Sequence, residues 1–269
     1  DMSPETPVFE VKKLSKVFYA RTGLPWRPPA VTAAALDQVT LLVNSGEILG
    51  LAGESGSGKS TLAEILAQLQ SPTQGEVLYR GQSLSTMSHQ DRLDFRRQVQ
   101  MIFQDPYESL NPRHTVLRTV SEGLINSGIR SRPEIVSRVE EALEQAGLRP
   151  ASAFLDTYPH RLSGGQRQRV SIARAIVLKP AVLIADEPVS MLDVSLRAGI
   201  LKLLRGLRDR MGLTILYISH DLSTMSYLCD RVAILYRGQL KELGPTHQVF
   251  ASPRDAYTRK LLAAVPSLF

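Results

Sequence analysis

The sequence predicts an α/β fold with a helical insert, and three observations carry that reading. A strand-like run, Glu47 to Ala52, leads into a glycine-rich stretch, Gly53 to Thr61, and apolar residues at helical spacing follow it. A second apolar run, Val182 to Ala185, ends in Asp186-Glu187. A buried parallel strand would deliver carboxylates to a ligand in this way at its C-terminal end. Between the two, from about residue 105 to 170, the apolar pattern turns helical.

The loop reads Gly53-Glu54-Ser55-Gly56-Ser57-Gly58-Lys59-Ser60-Thr61, which is G-x-x-x-x-G-K-S set between a strand and a helix. Glycines let the backbone wrap closely around a phosphate, and the loop amides with the helix N-terminus form a preorganised anion site. In that setting Lys59 reaches the β- and γ-phosphates, and the Ser60 hydroxyl ligates magnesium. A flexible Gly/Ser surface loop would need neither the flanking elements nor a lysine in register. The stretch implies a bound nucleoside triphosphate.

The chain has 269 residues, enough for one large domain or two small ones with a sizeable core. Hydrophobic residues at 43% and charged residues at 22% exclude a disordered or fibrous protein. The formal charge of +6 would suit nucleic acid or acidic lipid, but no Lys/Arg block concentrates it. One cysteine, Cys229, excludes an internal disulfide framework and a cysteine-cluster metal site, and it is expected to be a small buried residue. The five histidines show no zinc-like spacing. No apolar run approaches the length of a spanning helix, and the start, Asp-Met-Ser-Pro-Glu, lacks the basic and apolar regions of a secretory signal. The expectation is a cytosolic chain, held at a membrane by partners if it acts there.

Taken in order, Val8, Phe9, Val11 and Leu14, then Val17, Phe18 and Tyr19, predict a strand over 8–19 ending in an aromatic pair. Gly23, Pro25, Trp26, Pro28 and Pro29 predict a loop over 20–35. Val39 to Val43 is a strand, and the turn Asn44-Ser45-Gly46 leads to the strand before the phosphate loop. Leu62, Ile65, Leu66 and Leu69 predict the helix after it. A turn over 72–75 precedes the strand Glu76 to Tyr79, and the polar, Ser-rich piece 81–94 reads as a connector. Val99 to Gln104 is a compact apolar run with a polar end.

Ser131-Arg132-Pro133-Glu134 has capping-box spacing ahead of Ile135, Val139 and Leu143. A helix follows over roughly Arg167 to Leu178, stopped by Pro180. Asp193 caps a helix through Met211, with Ile200, Leu203, Leu204 and Leu207 on one face and Gly212 as terminator. Thr214 to Ser219 and Arg231 to Tyr236 are strands, and Asp255 to Leu262 is a short helix.

Asp186 and Glu187 suit two jobs, one holding a magnesium shell and the other polarising an attacking water. Gln104 and His220 also directly follow apolar runs; each reads as a ligand-facing residue at a sheet edge or as an ordinary helix cap. Leu162-Ser163-Gly164-Gly165-Gln166 precedes a helix, so it presents a hydroxyl, amides and a helix N-terminus to an anion, or is simply a glycine-containing N-cap. Two anion-cradling loops about 100 residues apart suggest one nucleotide gripped twice, or two chains each lending a surface.

These pieces, in this order, resemble the nucleotide-binding subunit of an ATP-binding cassette (ABC) transporter over nearly the whole chain. Gly53 to Thr61 is similar to Walker A, Gln104 to the Q-loop glutamine, and Leu162 to Gln166 is LSGGQ without departure. Val182 to Asp186 with Glu187 is similar to Walker B and its glutamate, Ser190-Met191-Leu192-Asp193 to the D-loop with Met191 where alanine is usual, and His220 to the switch histidine. The adenine-stacking aromatic implied is Phe18, with Tyr19 adjacent. Phe103 to Arg113, reading FQDPYxSLNPR, and the tail Tyr257 to Leu262 are similar to oligopeptide, dipeptide and nickel importer ATPases. Relatives with a cysteine-rich extension bind an iron–sulfur cluster; with Cys229 alone this chain resembles the cluster-free member of such a pair, or one half of a fused double cassette.

The resemblance implies a P-loop NTPase core, a RecA-like mostly parallel sheet with an antiparallel β subdomain, over 1–104 and 171–245. A helical subdomain carrying LSGGQ over 105–170 and a short extension over 246–269 complete it. It implies ATP and Mg2+ as cofactors, with Lys59, Gln104, Glu187 and His220 in the chemistry and Ser60, Gln104 and Asp186 around the metal. A second cassette would close head to tail, so that Ser163, Gly164, Gly165, Gln166 and Asp193 serve the shared interface. Two permease subunits and an extracytoplasmic solute-binding protein complete the implied importer, with the chain peripheral on the cytoplasmic face. A nickel or metallophore importer is the first alternative. A soluble cassette ATPase of DNA repair or translation is the second, disfavoured by the single cassette and by FQDPYxSLNPR, so no nucleic-acid partner is expected.

Overall fold

In the computed structural model, residues 7–20, 30–105 and 109–264 are described. They divide into two compact units, the described residues of 1–89 with those of 216–269, and the described residues of 90–215.

In the first unit, β1 (Pro7–Ala20) pairs antiparallel with β2 (Ala30–Asn44) along nearly its whole length, and on its other edge with β4 (Gln74–Tyr79), which pairs with β5 (Gln82–Ser83). In β1, Phe9, Val11 and Leu14 are at or below 1% exposure; a register shift between Val11 and Leu14 breaks the period of two and lets Leu14 be buried with Phe9 and Val11. A second ladder joins β3 (Ile48–Ala52) in parallel to β9 (Arg231–Tyr236), and β9 antiparallel to β10 (Gln239–Pro245). Every residue of β3 is buried, which is why it reads as a continuous apolar run with no alternation. α1 (Lys59–Leu66) follows the phosphate loop.

Glu47 is 7% exposed, yet it accepts from the Asn44 amide at 2.6 Å and from Arg231 Nη1 at 3.0 Å, so the turn before β3 is tied to the start of β9. Burial pushes its carboxyl above the ordinary value, against the pull of Asn44 and Arg231.

In the second unit, α2 (His89–Gln98) leads into β6 (Val99–Ile102), which is parallel to β7 (Val182–Asp186) with Ile102 opposite Ala185. The helices α3 (Val116–Asn126), α4 (Arg132–Gln145) and α5 (Gly164–Ile176) pack on one another. Val120, Leu124, Val139, Leu143, Ile172 and Ala173 are fully buried among them. Each leucine so buried contributes about 2 kcal/mol, more than the backbone propensity of its helix turn. α6 (Val194–Met211) ends at Gly212, whose φ of 66° is the left-handed C-cap a glycine supplies without a Cβ penalty. β8 (Thr214–Ile218) carries the boundary between the units, and α7 (Leu222–Leu228), α8 (Thr246–Ala251) and α9 (Ala256–Ala263) belong to the first.

The structure departs from the sequence reading at several elements. The expected loop over 20–35 is strand at Ala20 and from Ala30 onward, because β1's outer half pairs with 30–36, where no proline interrupts; residues 21–29, including Trp26 and its flanking prolines, lie outside the described residues. The connector over 81–94 contains β5 and the start of α2. Only Phe95 of α2 is buried, so the helix shows no apolar stripe; Asp91 in its first turn and Arg96 and Arg97 in its last complement the helix dipole instead. Leu69 lies past the cap of α1 and is 57% exposed. Ser131 is the N-cap of α4 without a side-chain cap bond, and Glu134 pairs with Arg138 at 2.7 Å. On α6 the buried set is Ile200, Leu201, Leu204 and Leu207, with Leu203 half-buried. β10, α7 and α8 carry no expectation from the sequence.

Candidate functional site

In the first unit, β3 ends at Ala52 and the chain turns through Gly53 to Gly58 into α1. Gly53, Gly56 and Gly58 have φ of 149°, 77° and 102°, so the turn is built from conformations that L side chains rarely adopt. A Cβ on Gly53 would stand 2.2 Å from the Leu235 carbonyl oxygen, and one on Gly58 2.3 Å from that of Ala35. The loop is thus pressed between β9 and β2, and the close approach requires glycine. The Gly238 amide donates to the Ser57 carbonyl at 3.0 Å, pinning the middle of the loop to the β9–β10 turn.

Lys59 is 6% exposed, and its Nζ donates to the Gly53 and Glu54 carbonyls at 2.8 Å each and to Ser57 Oγ at 3.4 Å. A buried ammonium held by loop carbonyls is a charge ready to be exchanged onto a phosphate. Glu54, Ser55 and Ser60 are exposed and Thr61 half-buried, so the mouth of the loop is open to a ligand.

His220 belongs to the same unit. The Ser219 amide donates to the Leu51 carbonyl at 3.4 Å, which sets the residue before His220 beside the C-terminal end of β3. Two residues earlier, Tyr217 is fully buried with its hydroxyl donating to Thr224 Oγ1 at 3.0 Å, and burial pushes its phenol up to about 12. His220 itself is exposed. Phe18 and Tyr19 near the end of β1 are 39% and 52% exposed, and Lys16 Nζ lies 5.2 Å from the Phe18 ring centre. An exposed ring with a cation beside it offers a stacking face.

In the second unit, Asp186 is the last residue of β7 and is buried, while Glu187 is half-buried with φ of 45°. A glutamate in the left-handed region is sparsely populated and strained, a condition that concentrates at functional sites. The turn is fixed by the Ser190 amide and hydroxyl, which donate to the Glu187 carbonyl at 3.2 and 3.0 Å. Gln104 stands exposed two residues beyond Ile102 of β6, and Glu187 two beyond its partner Ala185 of β7, so both leave the same edge of the ladder.

Ser163 is the N-cap of α5 in a complete capping box: its Oγ accepts from the Gln166 amide at 3.2 Å and Gln166 Oε1 accepts from the Ser163 amide at 3.0 Å. The helix therefore begins inside the LSGGQ stretch, at Gly164, and not at Arg167, with the box satisfying the Ser163 and Gln166 amides. Gly165 packs against Leu196 of α6, close enough that a Cβ would meet its Cδ1 at 3.3 Å. This brings Ser163 to Gln166 and the start of α6, preceded by Asp193, to one face. On that face Met191, Val194 and Leu196 are 57%, 79% and 42% exposed.

The donors fit the implied groups. The glycine cradle and the buried Lys59 suit phosphates, and the Ser60 hydroxyl and Asp186 carboxylate are hard oxygen ligands of the kind magnesium takes. The β9–β10 turn against the loop is the contact not evident from the sequence; its available signal was the two residues Arg237-Gly238 between the apolar run ending at Tyr236 and the run from Gln239.

A family model described as ABC transporter matches residues 36–190. The chain is 43% identical over 261 residues to the oligopeptide transport ATP-binding protein OppF of Bacillus subtilis, covering 96% of this chain and 82% of that protein. It is 41% identical over 268 residues to the dipeptide transport ATP-binding protein DppF of Haemophilus influenzae, covering 100% and 81%. Among solved structures, the ATP-binding cassette MJ0796 in a dimeric, post-hydrolysis state bound to ADP and Pi superposes with a TM-score of 0.75 at 30% identity, covering 88% of this chain and 98% of that one. The fold is accordingly the mixed α/β cassette fold, a RecA-like mostly parallel sheet with an antiparallel subdomain and helical insertions. The match to more than half of the chain, with relatives above 40% identity along nearly all of it, shows that the chain belongs to the ABC transporter family.

Proposed function

We propose that this chain is the ATP-hydrolysing subunit of a peptide importer. The observation that carries the reading is the phosphate loop, with Lys59 buried against the Gly53 and Glu54 carbonyls and glycines where β9 and β2 admit nothing larger. The loop amides and Lys59 bind the β- and γ-phosphates, and Phe18 stacks on the base. The Ser60 hydroxyl and the Asp186 carboxylate would serve as magnesium ligands, and the ion would supply charge neutralisation to the phosphates; Gln104 offers its amide oxygen at the edge it shares with Glu187.

Glu187 orients and polarises the attacking water, and His220 donates toward the γ-phosphate. The reaction needs no covalent chemistry from the protein, so these residues act by positioning and charge stabilisation.

The exposed apolar face around Met191, Val194 and Leu196, beside Ser163 to Gln166 and Asp193, suits a second cassette whose ATP would be capped by Ser163 and the α5 N-terminus. Peptide cargo is supported by the names of the relatives and by Phe103 to Arg113, of which residues 106–108 lie outside those described. No helix among the described residues is long and apolar enough to cross a membrane. In this reading the chain is a peripheral subunit held by two permease subunits, with an extracytoplasmic solute-binding protein in the full complex.

The test is steady-state ATP hydrolysis and ATP binding by the parent, Lys59→Ala and Glu187→Gln forms, in the complex extracted with its membrane partners. Lys59→Ala should lose binding. Glu187→Gln should bind ATP normally and lower kcat by about 100-fold or more. Hydrolysis by Glu187→Gln at the parent rate removes Glu187 from the water-positioning role. Recovery of nucleic acid with no membrane subunit overturns the importer reading.

A further inference from the structure

The phosphate loop has a second brace, which comes from the far end of the chain. The Glu54 amide, at the first variable position of the loop, donates to the Tyr257 hydroxyl of α9 at 3.4 Å. Tyr257 is held in place by two independent devices. Its ring stacks on Tyr236, the last residue of β9, with centres 4.0 Å apart and planes 26° from parallel, and the Arg237 guanidinium lies 5.1 Å from the Tyr236 ring centre. Its backbone is fixed by caps: Asp255 Oδ1 accepts from the Tyr257 and Thr258 amides at 2.8 and 3.2 Å. Glu242 on β10 in turn accepts from the Arg254 and Asp255 amides at 2.9 and 3.1 Å. Thr258 and Leu262, 0% and 9% exposed, seat the helix.

Every element of this brace converges on the β9–β10 hairpin. Arg237 and Gly238, with φ of 48° and 77°, form its two-residue turn, which is the left-handed pair that tight hairpins require. From that turn the Gly238 amide holds the Ser57 carbonyl, Tyr236 holds the Tyr257 ring, and Glu242 holds the chain entering α9. The loop is therefore gripped at residue 57 directly and at residue 54 through Tyr257. Burial raises the Tyr257 phenol above its ordinary value, partly offset by the hydrogen bond from the Glu54 amide, so the group that accepts from that amide is the neutral hydroxyl.

We propose that Tyr257 is a positioning residue of the nucleotide site, whose hydroxyl orients the first turn of the phosphate loop and so sets its grip on the polyphosphate. The proposal rests on the nucleotide-binding reading above. Tyr257 touches no phosphate itself; it acts through Glu54.

The experiment compares the parent with Tyr257→Phe and Tyr257→Ala in the full chain, titrating ATP and ADP and measuring kcat, KM and the nucleotide-free melting temperature. Tyr257→Phe keeps the ring stack and loses only the acceptor. It should weaken ATP and ADP together, by about two- to fivefold, raise KM in step, and leave kcat and the melting temperature at the parent values. Tyr257→Ala should weaken binding further and lower the melting temperature. Nucleotide affinities of Tyr257→Phe equal to the parent's would overturn the proposal. So would a fall in its melting temperature with affinity unchanged, which would make Tyr257 a packing residue only. A parent chain that binds neither ATP nor ADP would sink the nucleotide reading and this proposal together, whereas parent binding with an unaffected Tyr257→Phe sinks this proposal alone.

Discussion

Gly53→Ala isolates how tightly the phosphate loop is pressed against β9. The added Cβ would lie 2.2 Å from the Leu235 carbonyl oxygen and 2.7 Å from Ser57 Oγ, where real Cβ atoms do not come closer than 3.0 Å. The hydroxyl of Ser57 can turn aside. The carbonyl cannot, because Leu235 is fully buried and paired with Leu240 in the β9–β10 ladder. Forcing backbone apart in a packed site costs about 1–3 kcal/mol, and holding a non-glycine residue at a φ of 149° adds about 1–3 kcal/mol. The expected sum is about 2–6 kcal/mol, read as a lower urea midpoint or, where the loop yields instead of the strand, as an equal loss of ATP affinity. Gly56→Ala is the internal control. Gly56 has φ of 77° and nothing within 4 Å of an added Cβ, so only the left-handed backbone penalty of about 1–2 kcal/mol applies. If Gly53→Ala and Gly56→Ala proved equally mild in both urea denaturation and ATP titration, the steric argument for the loop would fail.

Two further outcomes follow from the same geometry. Ser163→Arg removes the acceptor of the α5 capping box and should lower stability by about 1 kcal/mol in denaturation. It should leave ATP binding at Lys59 intact while abolishing hydrolysis by the assembled complex; full activity of that complex would remove Ser163 from the partner-facing site. Glu47 supplies a pH dependence. Its folded carboxyl titrates above the unfolded value of 4.5, so between the two values the folded state binds more protons than the unfolded one, and stability declines as pH rises through that window. Glu47→Gln should flatten that part of the stability–pH curve measured by urea denaturation. An unchanged slope would mean that Arg231 and Asn44 cancel burial and leave no net shift, whereas a slope of opposite sign would mean that they outweigh it.

The parts of the fold most legible in the sequence are those where one local requirement dominates. β3, β7 and β8 are buried at every residue, so they stand out as apolar runs, and the phosphate loop is legible because phosphate wrapping demands glycines and a lysine at set spacing. What was illegible depends on partners distant in sequence. Residues 30–36 become strand because the outer half of β1 needs hydrogen-bond partners, and α2 forms with Phe95 as its one buried side chain. Neither fact has a local signature.

The candidate site divides along the same line. Lys59, Asp186, Glu187, Ser163 and His220 announce themselves through motif and position after a strand, but the forces that hold them do not. Gly53 is glycine because of Leu235, Gly58 because of Ala35, and Glu54 is oriented by Tyr257 some 200 residues away. A motif records which atoms meet the ligand, and the residues that aim those atoms are written wherever the fold happens to bring them. The tail Tyr257 to Leu262 entered the sequence reading only as a point of resemblance. The structure sets its tyrosine between the Glu54 amide and the Tyr236 ring, so the β9–β10 hairpin holds the loop at residue 54 as well as at residue 57.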